Sequence, residues 1–292
     1  MSVLVRAPEL AGELASSAVT GAAPRVLDVR WRLDRPEGRV DYLEGHIPGA
    51  VFVDLERELA APGSPETGRH PLPDAADLAA AVQRWGISPG DRVVVYDDNE
   101  GVPAARAWWL LGLYGVDVRV LDGGLRSWVR HGLRLERGDV AVRRPGRWEG
   151  ALQRPDAVAT IDDAALAPQH GLLIDVRAPQ HYRGTVPGLD PAAGHIPGAI
   201  NLPTVVHISP EGLLRTTGEI GAHLASVGIR SDTPVVLYDG SGIAAAHSAL
   251  AFAVAGFFHP RIFIGSWSQW SRSPGRPVAV GSSPSGTIVA PY

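Results

Sequence analysis

The stretch Tyr238-Asp-Gly-Ser-Gly-Ile-Ala-Ala-Ala-His247 sets a carboxylate, a hydroxyl and two glycines where an apolar run ends and an apolar helix pattern begins. Two glycines let the backbone curl so that successive N–H groups, Gly240 to Ala244, point into one small concavity at the positive end of the following helix. Such a cradle favours a negative charge at its centre. A Gly-x-Gly turn alone also serves any tight strand-to-helix connection. The 292 residues include no cysteine, which excludes disulfides, thiolate metal sites and any mechanism with a protein thiol as nucleophile. The ten histidines show no HxxxH or HxH spacing, so no metal site is expected, and no cofactor is expected either.

The elements that must position this loop occur twice. Val26-Leu-Asp-Val-Arg30 recurs as Leu173-Ile-Asp-Val-Arg177, and Gly45-His-Ile-Pro-Gly-Ala50 recurs as Gly194-His-Ile-Pro-Gly-Ala199. Val93-Val-Val-Tyr-Asp97 recurs as Val235-Val-Leu-Tyr-Asp239, and Leu121-Asp-Gly-Gly-Leu-Arg-Ser-Trp128 as Phe263-Ile-Gly-Ser-Trp-Ser-Gln-Trp270. The repeat is far too long for a solenoid, so each copy is a domain. The Arg-, Gly- and Pro-rich stretch between them reads as a linker. The expected division is 1–137, linker 138–156 and 157–292. Continuous apolar runs of four residues suit strands buried on both faces. Each is followed by a small-residue turn and a helix, Pro103 to Leu113 and Ile243 to Ala255. That alternation predicts an α/β chain, each copy a parallel sheet flanked by helices with its ligand loop at the carboxyl edge.

Hydrophobic residues make up 45%, charged residues 20%, and the net charge is −4. This composition suits a globular protein and points to neither a nucleic-acid nor a membrane partner. The apolar runs are too short to span a bilayer. The N-terminus carries no charged-then-apolar leader pattern, and a cytoplasmic location is expected.

Taken together, Asp-Val-Arg, Gly-His-Ile-Pro-Gly-Ala, the glycine loop and the closing Gly-Ser-Trp-Ser-x-Trp resemble the thiosulfate and 3-mercaptopyruvate sulfurtransferases. The resemblance covers almost the whole chain. It implies two tandem rhodanese-like domains, the first of non-catalytic type and the second carrying the active loop. The implied activity moves a sulfane sulfur from a small anionic donor, thiosulfate or 3-mercaptopyruvate, through a cysteine persulfide to cyanide, a thiol or a thiol acceptor protein. In the mercaptopyruvate branch the loop reads Cys-Gly-Ser-Gly-Val-Thr, and here it reads Asp239-Gly240-Ser241-Gly242-Ile243-Ala244. The resemblance further implies that Gly240, Gly242, Ile243 and Ala244 form the substrate cradle. It gives Arg177 and, more weakly, Arg183 to the substrate's anionic end, and makes Trp267 a pocket wall. Ser241, His70 and Glu56, with Asp54 a rival for the acid, correspond to a serine–histidine–acid relay. Arg30 is the first-domain counterpart of Arg177 and is expected to be structural. His46 and His195, one in each copy, are expected to hold turns.

Oxygen replaces sulfur at the position on which the implied chemistry turns. A carboxylate is a poor nucleophile towards divalent sulfur. Asp239 is therefore expected to act as an internal anion within the loop, similar in charge and shape to a sulfinate, and activity is expected to be absent or very low. Two other readings stand beside this one: a pseudoenzyme that binds an anion or a protein partner, and a hydrolase that uses Ser241 or Asp239.

Overall fold

The computed structural model describes residues 2–20, 23–142, 144–257 and 260–289. The chain forms two compact units, one of 1–61, 73–155 and 210–214, the other of 62–72, 156–209 and 215–292.

The first unit contains β1 (Leu4–Val5), β2 (Arg25–Asp28), β3 (Val51–Phe52), β4 (Arg92–Tyr96) and β5 (Asp117–Leu121), in the order β1-β5-β4-β2-β3. The second contains β6 (Val158–Ala159), β7 (Leu172–Asp175), β8 (Ile200–Asn201), β9 (Val235–Tyr238) and β10 (Arg261–Phe263), in the order β6-β10-β9-β7-β8. Every pairing in both sheets is parallel. The two orders are the same permutation, so the internal repeat is a repeat of fold, and the α/β class with flanking helices holds. A further strand pair, β11 (Val278–Val280) with β12 (Thr287–Val289), is antiparallel.

The apolar runs Val93–Tyr96 and Val235–Tyr238 are buried along their length and form the middle strand of each sheet. The chain order reverses between β4 and β2, and between β9 and β7. A crevice at such a switch point lies at the carboxyl ends of the strands, next to Asp97 and Asp239. The helix Ala244–Val254 is apolar apart from His247 and Ser248, which suits its burial. Val236, Tyr238, Phe263, Trp267 and Trp270 form a core with Tyr182 and Ile196, against which Ile161, Ala165 and Ala167 pack.

Both cores contain the same polar lattice, built from the repeated Asp-Val-Arg. In the first unit the Arg30 guanidinium donates to Asp28 at 2.7 Å and to the Gly45 carbonyl at 2.8 Å. The Tyr96 hydroxyl donates to Asp28 at 2.5 Å and accepts from the Ile47 N–H. In the second unit Arg177 donates to Asp175 at 2.5 Å and to the Gly194 carbonyl at 2.7 Å, while the Tyr238 hydroxyl accepts from the Ile196 N–H. Asp28 and Asp175 are both fully buried. The lattice ties the end of β2 or β7 to the Gly-His-Ile-Pro-Gly turn, and a buried carboxylate persists there because it is paired and hydrogen-bonded.

Removing one partner strands the other charge. Asp175→Ala is expected to cost about 3–5 kcal/mol of stability, read by urea unfolding, and a loss below about 1 kcal/mol would show that the lattice does not hold the unit together.

Candidate functional site

The second unit's loop runs from the end of β9 into the helix Ala244–Val254. That helix has no side-chain cap, since Ile243 stands at the capping position. Its first N–H groups need acceptors, and Asp239 supplies the one for Ala244. One carboxylate oxygen accepts from Gly242 N–H at 2.5 Å and the other from Ala244 N–H at 3.0 Å. Asp239 is 5% exposed. Its burial is tolerated because the N–H groups of the cradle and the helix end face it. Gly242 has φ +83°, and a Cβ there would lie 2.7 Å from the Ile264 carbonyl oxygen, so this glycine is required by space as well as by conformation.

The loop is pinned from below by the segment after β10. Trp267 N–H donates to the Asp239 carbonyl and Ser268 N–H to the Gly240 carbonyl, each at 3.0 Å. The Ser266 hydroxyl lies 3.2 Å from the Asp239 carboxylate and accepts from the Asp239 N–H. Beside Gly240, Arg69 pairs with Asp190. Arg272 reaches the same carboxylate at 2.5 Å, so two guanidinium groups share one buried acid at the loop's flank.

The first unit repeats the cradle with different donors. Asp97, fully buried, accepts from the N–H groups of Asn99, Gly101 and Ala104 at 2.7, 2.9 and 2.8 Å. Burial pushes this carboxyl up to about 6, against the pull of those three N–H bonds.

The remaining residues singled out from sequence fall as follows. Ser241 and His70 are buried and belong to the second unit. Glu56 belongs to the first unit, where it accepts from the Trp31 indole N–H at 2.9 Å. Arg177 forms the lattice described above, its guanidinium 4.7 Å from the Trp267 ring centre. Burial works against its charge, and Asp175 more than offsets this. Trp267 is buried in the core and donates to the Ala192 carbonyl. The Arg183 side chain is exposed. His46 and His195 are bound to their turns, through Tyr42 and Tyr182 carbonyls, and stack on those tyrosine rings. Among the described residues no cluster of histidine or carboxylate side chains is arranged to hold a metal, and no helix is long and apolar enough to cross a membrane.

Sequence reasoning passed over Ser266, Arg69, Asp190 and Arg272. The signal for Ser266 was its alignment with Gly124 in the first copy. For Arg69 it was adjacency to His70, while the Asp190 clamp joins residues too far apart in sequence to be paired by spacing.

Behind the loop lies a buried histidine group. His247 hydrogen-bonds the Thr204 hydroxyl at 2.7 Å, and Ser248 donates to the same oxygen. His207, fully buried, has no hydrogen-bond partner on either ring nitrogen among the described residues, and its ring centre is 6.2 Å from that of His223. Burial, reinforced by His247, His223 and Arg215, lowers it to about 3.

Comparison with known proteins places this geometry. The rhodanese-like domain model matches residues 8–131 and again 157–273. The Mycobacterium tuberculosis protein SseB, provisionally named a thiosulfate sulfurtransferase, is 43% identical over 286 residues, covering 96% of this chain and 98% of that protein. The 3-mercaptopyruvate sulfurtransferase of Escherichia coli is 36% identical over 264 residues, 87% of this chain and 91% of that one. The crystal structure of SseA from Escherichia coli, described as a 3-mercaptopyruvate sulfotransferase of rhodanese fold, superposes with a TM-score of 0.79 at 34% identity. It covers 91% of this chain and 99% of that one.

The histidine group gives this unit an acid-sensitive point. The folded pKa of His207 lies below the unfolded value of 6.5, so the unfolded chain takes up the proton first as pH falls. The neutral ring's contribution is intact above about pH 6.5 and lost at about 1.4 kcal/mol per pH unit between there and about pH 3. In urea unfolding across a pH series, His207→Phe should flatten the acid slope by about that amount, and an unchanged slope would show that His207 is not held neutral.

Proposed function

The chain belongs to the two-domain rhodanese-like sulfurtransferase family, and from that premise we propose that it is a member whose sulfur transfer has lapsed, its active-loop cradle filled by its own Asp239 carboxylate. The observation that carries this reading is the pair of hydrogen bonds from Gly242 and Ala244 to the two carboxylate oxygens.

Sulfane transfer requires a thiolate to attack divalent sulfur, forming an S–S bond while the donor leaves with its electron pair, as sulfite from thiosulfate or as pyruvate enolate from 3-mercaptopyruvate. The resulting persulfide then yields its outer sulfur to cyanide or a thiol. A soft, polarizable nucleophile is needed for the first step. Asp239 offers a hard oxygen whose lone pairs are engaged by the loop. It also repels an anionic donor from the concavity that would otherwise attract one. The same engagement counts against Asp239 as the nucleophile or base of a hydrolase. The cradle then serves as a rigid, largely buried loop that carries its own anion on an inherited scaffold, the form expected of a pseudoenzyme that docks a thiol acceptor protein or another partner without turnover.

Incubated with thiosulfate or 3-mercaptopyruvate and cyanide, the native chain should release no thiocyanate above the protein-free rate. Asp239→Cys should raise the rate at least about a hundredfold, because Gly240, Ser241 and Gly242 still surround the position. Turnover by the native chain would overturn the proposal, and an inert but folded Asp239→Cys variant would show that more than the nucleophile has been lost.

A further inference from the structure

Ser266 has φ +52°, a conformation costly to any residue with a Cβ. The aligned position in the first unit is Gly124, with the same φ of +52°. There glycine takes the turn without strain. The second unit thus places a serine where its own duplicate shows that a glycine closes the same turn. A strained non-glycine residue beside a functional loop is worth explaining by what its side chain does.

That side chain is fully buried and lies against residue 239. The hydroxyl oxygen accepts from the Asp239 N–H at 3.2 Å. Its single proton has two acceptors within reach, the Phe263 carbonyl at 2.8 Å and the Asp239 carboxylate at 3.2 Å. An anion at 239 draws the proton towards itself, and a neutral group leaves it to Phe263. The contrast between the units fits this role. Asp97, above Gly124, takes backbone N–H bonds from the second, fourth and seventh residues after it. Asp239, above Ser266, takes them from the third and fifth, and a hydroxyl stands where the first unit uses a further N–H.

We infer that Ser266 is a positioning residue that orients the side chain at 239 and stabilises its anionic form, a role for which the second unit accepts a strained backbone. The inference stands on loop geometry and does not need the lapsed-enzyme reading. It predicts that a thiol placed at 239 becomes less acidic when the hydroxyl is removed.

The test exploits the absence of cysteine from the chain. In the full-length protein, Asp239→Cys introduces a single thiol, and the pH dependence of its alkylation by iodoacetamide reports the thiolate directly. Adding Ser266→Gly or Ser266→Ala should move the alkylation midpoint up by about one pH unit, roughly a tenfold loss of rate below it. Ser266→Gly should at the same time leave the melting temperature unchanged or raise it, because glycine relieves the turn. A structural role alone would move the melting temperature and not the midpoint. A midpoint that stays within about 0.3 units, or falls, in the Ser266→Gly protein would overturn the inference. That variant decides the matter if Ser266→Ala fails to fold. No sulfur donor is used, so this result is independent of whether Asp239→Cys restores turnover.

Discussion

A carboxylate buried at the end of a central parallel strand must find its hydrogen bonds nearby, and in this protein it finds them in the loop that follows it. Asp239 closes the cradle on itself through Gly242 and Ala244, and Asp97 does the same through Asn99, Gly101 and Ala104. In each case the carboxylate also accepts from one N–H group in the first turn of the next helix, Ala244 or Ala104. The loop's shape and its unsuitability for an incoming anion both follow from that one arrangement. The anion the fold was arranged to attract is supplied by the chain.

The duplicate units act as mutual controls. Features present in both serve the fold: the Asp-Arg-Tyr lattice, the histidines stacked in the Gly-His-Ile-Pro-Gly turns and the strand order. Features confined to the second unit, such as Ser266 in place of Gly124 and the Arg69–Asp190–Arg272 clamp, mark where it diverged. Arg177 illustrates the distinction. Its bonds to Asp175 and the Gly194 carbonyl mirror those of Arg30 to Asp28 and Gly45, so its position is determined by the lattice whatever it meets at its outer edge.

Much of this is legible in the sequence. The repeated Asp-Val-Arg and Gly-His-Ile-Pro-Gly-Ala motifs announced two copies of one fold, and continuous valine runs ahead of Asp97 and Asp239 identified the buried central strands. The loop from Asp239 to Ala244 could be placed because glycines mark a turn wherever they stand. Other features depend on contacts that leave no periodic trace. His207 is surrounded by His223 and His247 from separate helices, and Asp190 meets Arg69 across a long sequence gap. The sign of a backbone dihedral is also invisible in a serine, and only the glycine in its duplicate hinted at it.

The central claim is that Asp239 occupies the space an anion would take. Isothermal titration of thiosulfate into the native chain and into Asp239→Ala tests it most directly. The native chain should show no saturable binding, and Asp239→Ala should bind at least about tenfold more tightly as freed N–H groups meet the ligand. Equal affinity in the two proteins would contradict the claim, because the carboxylate would then not be what fills the cradle.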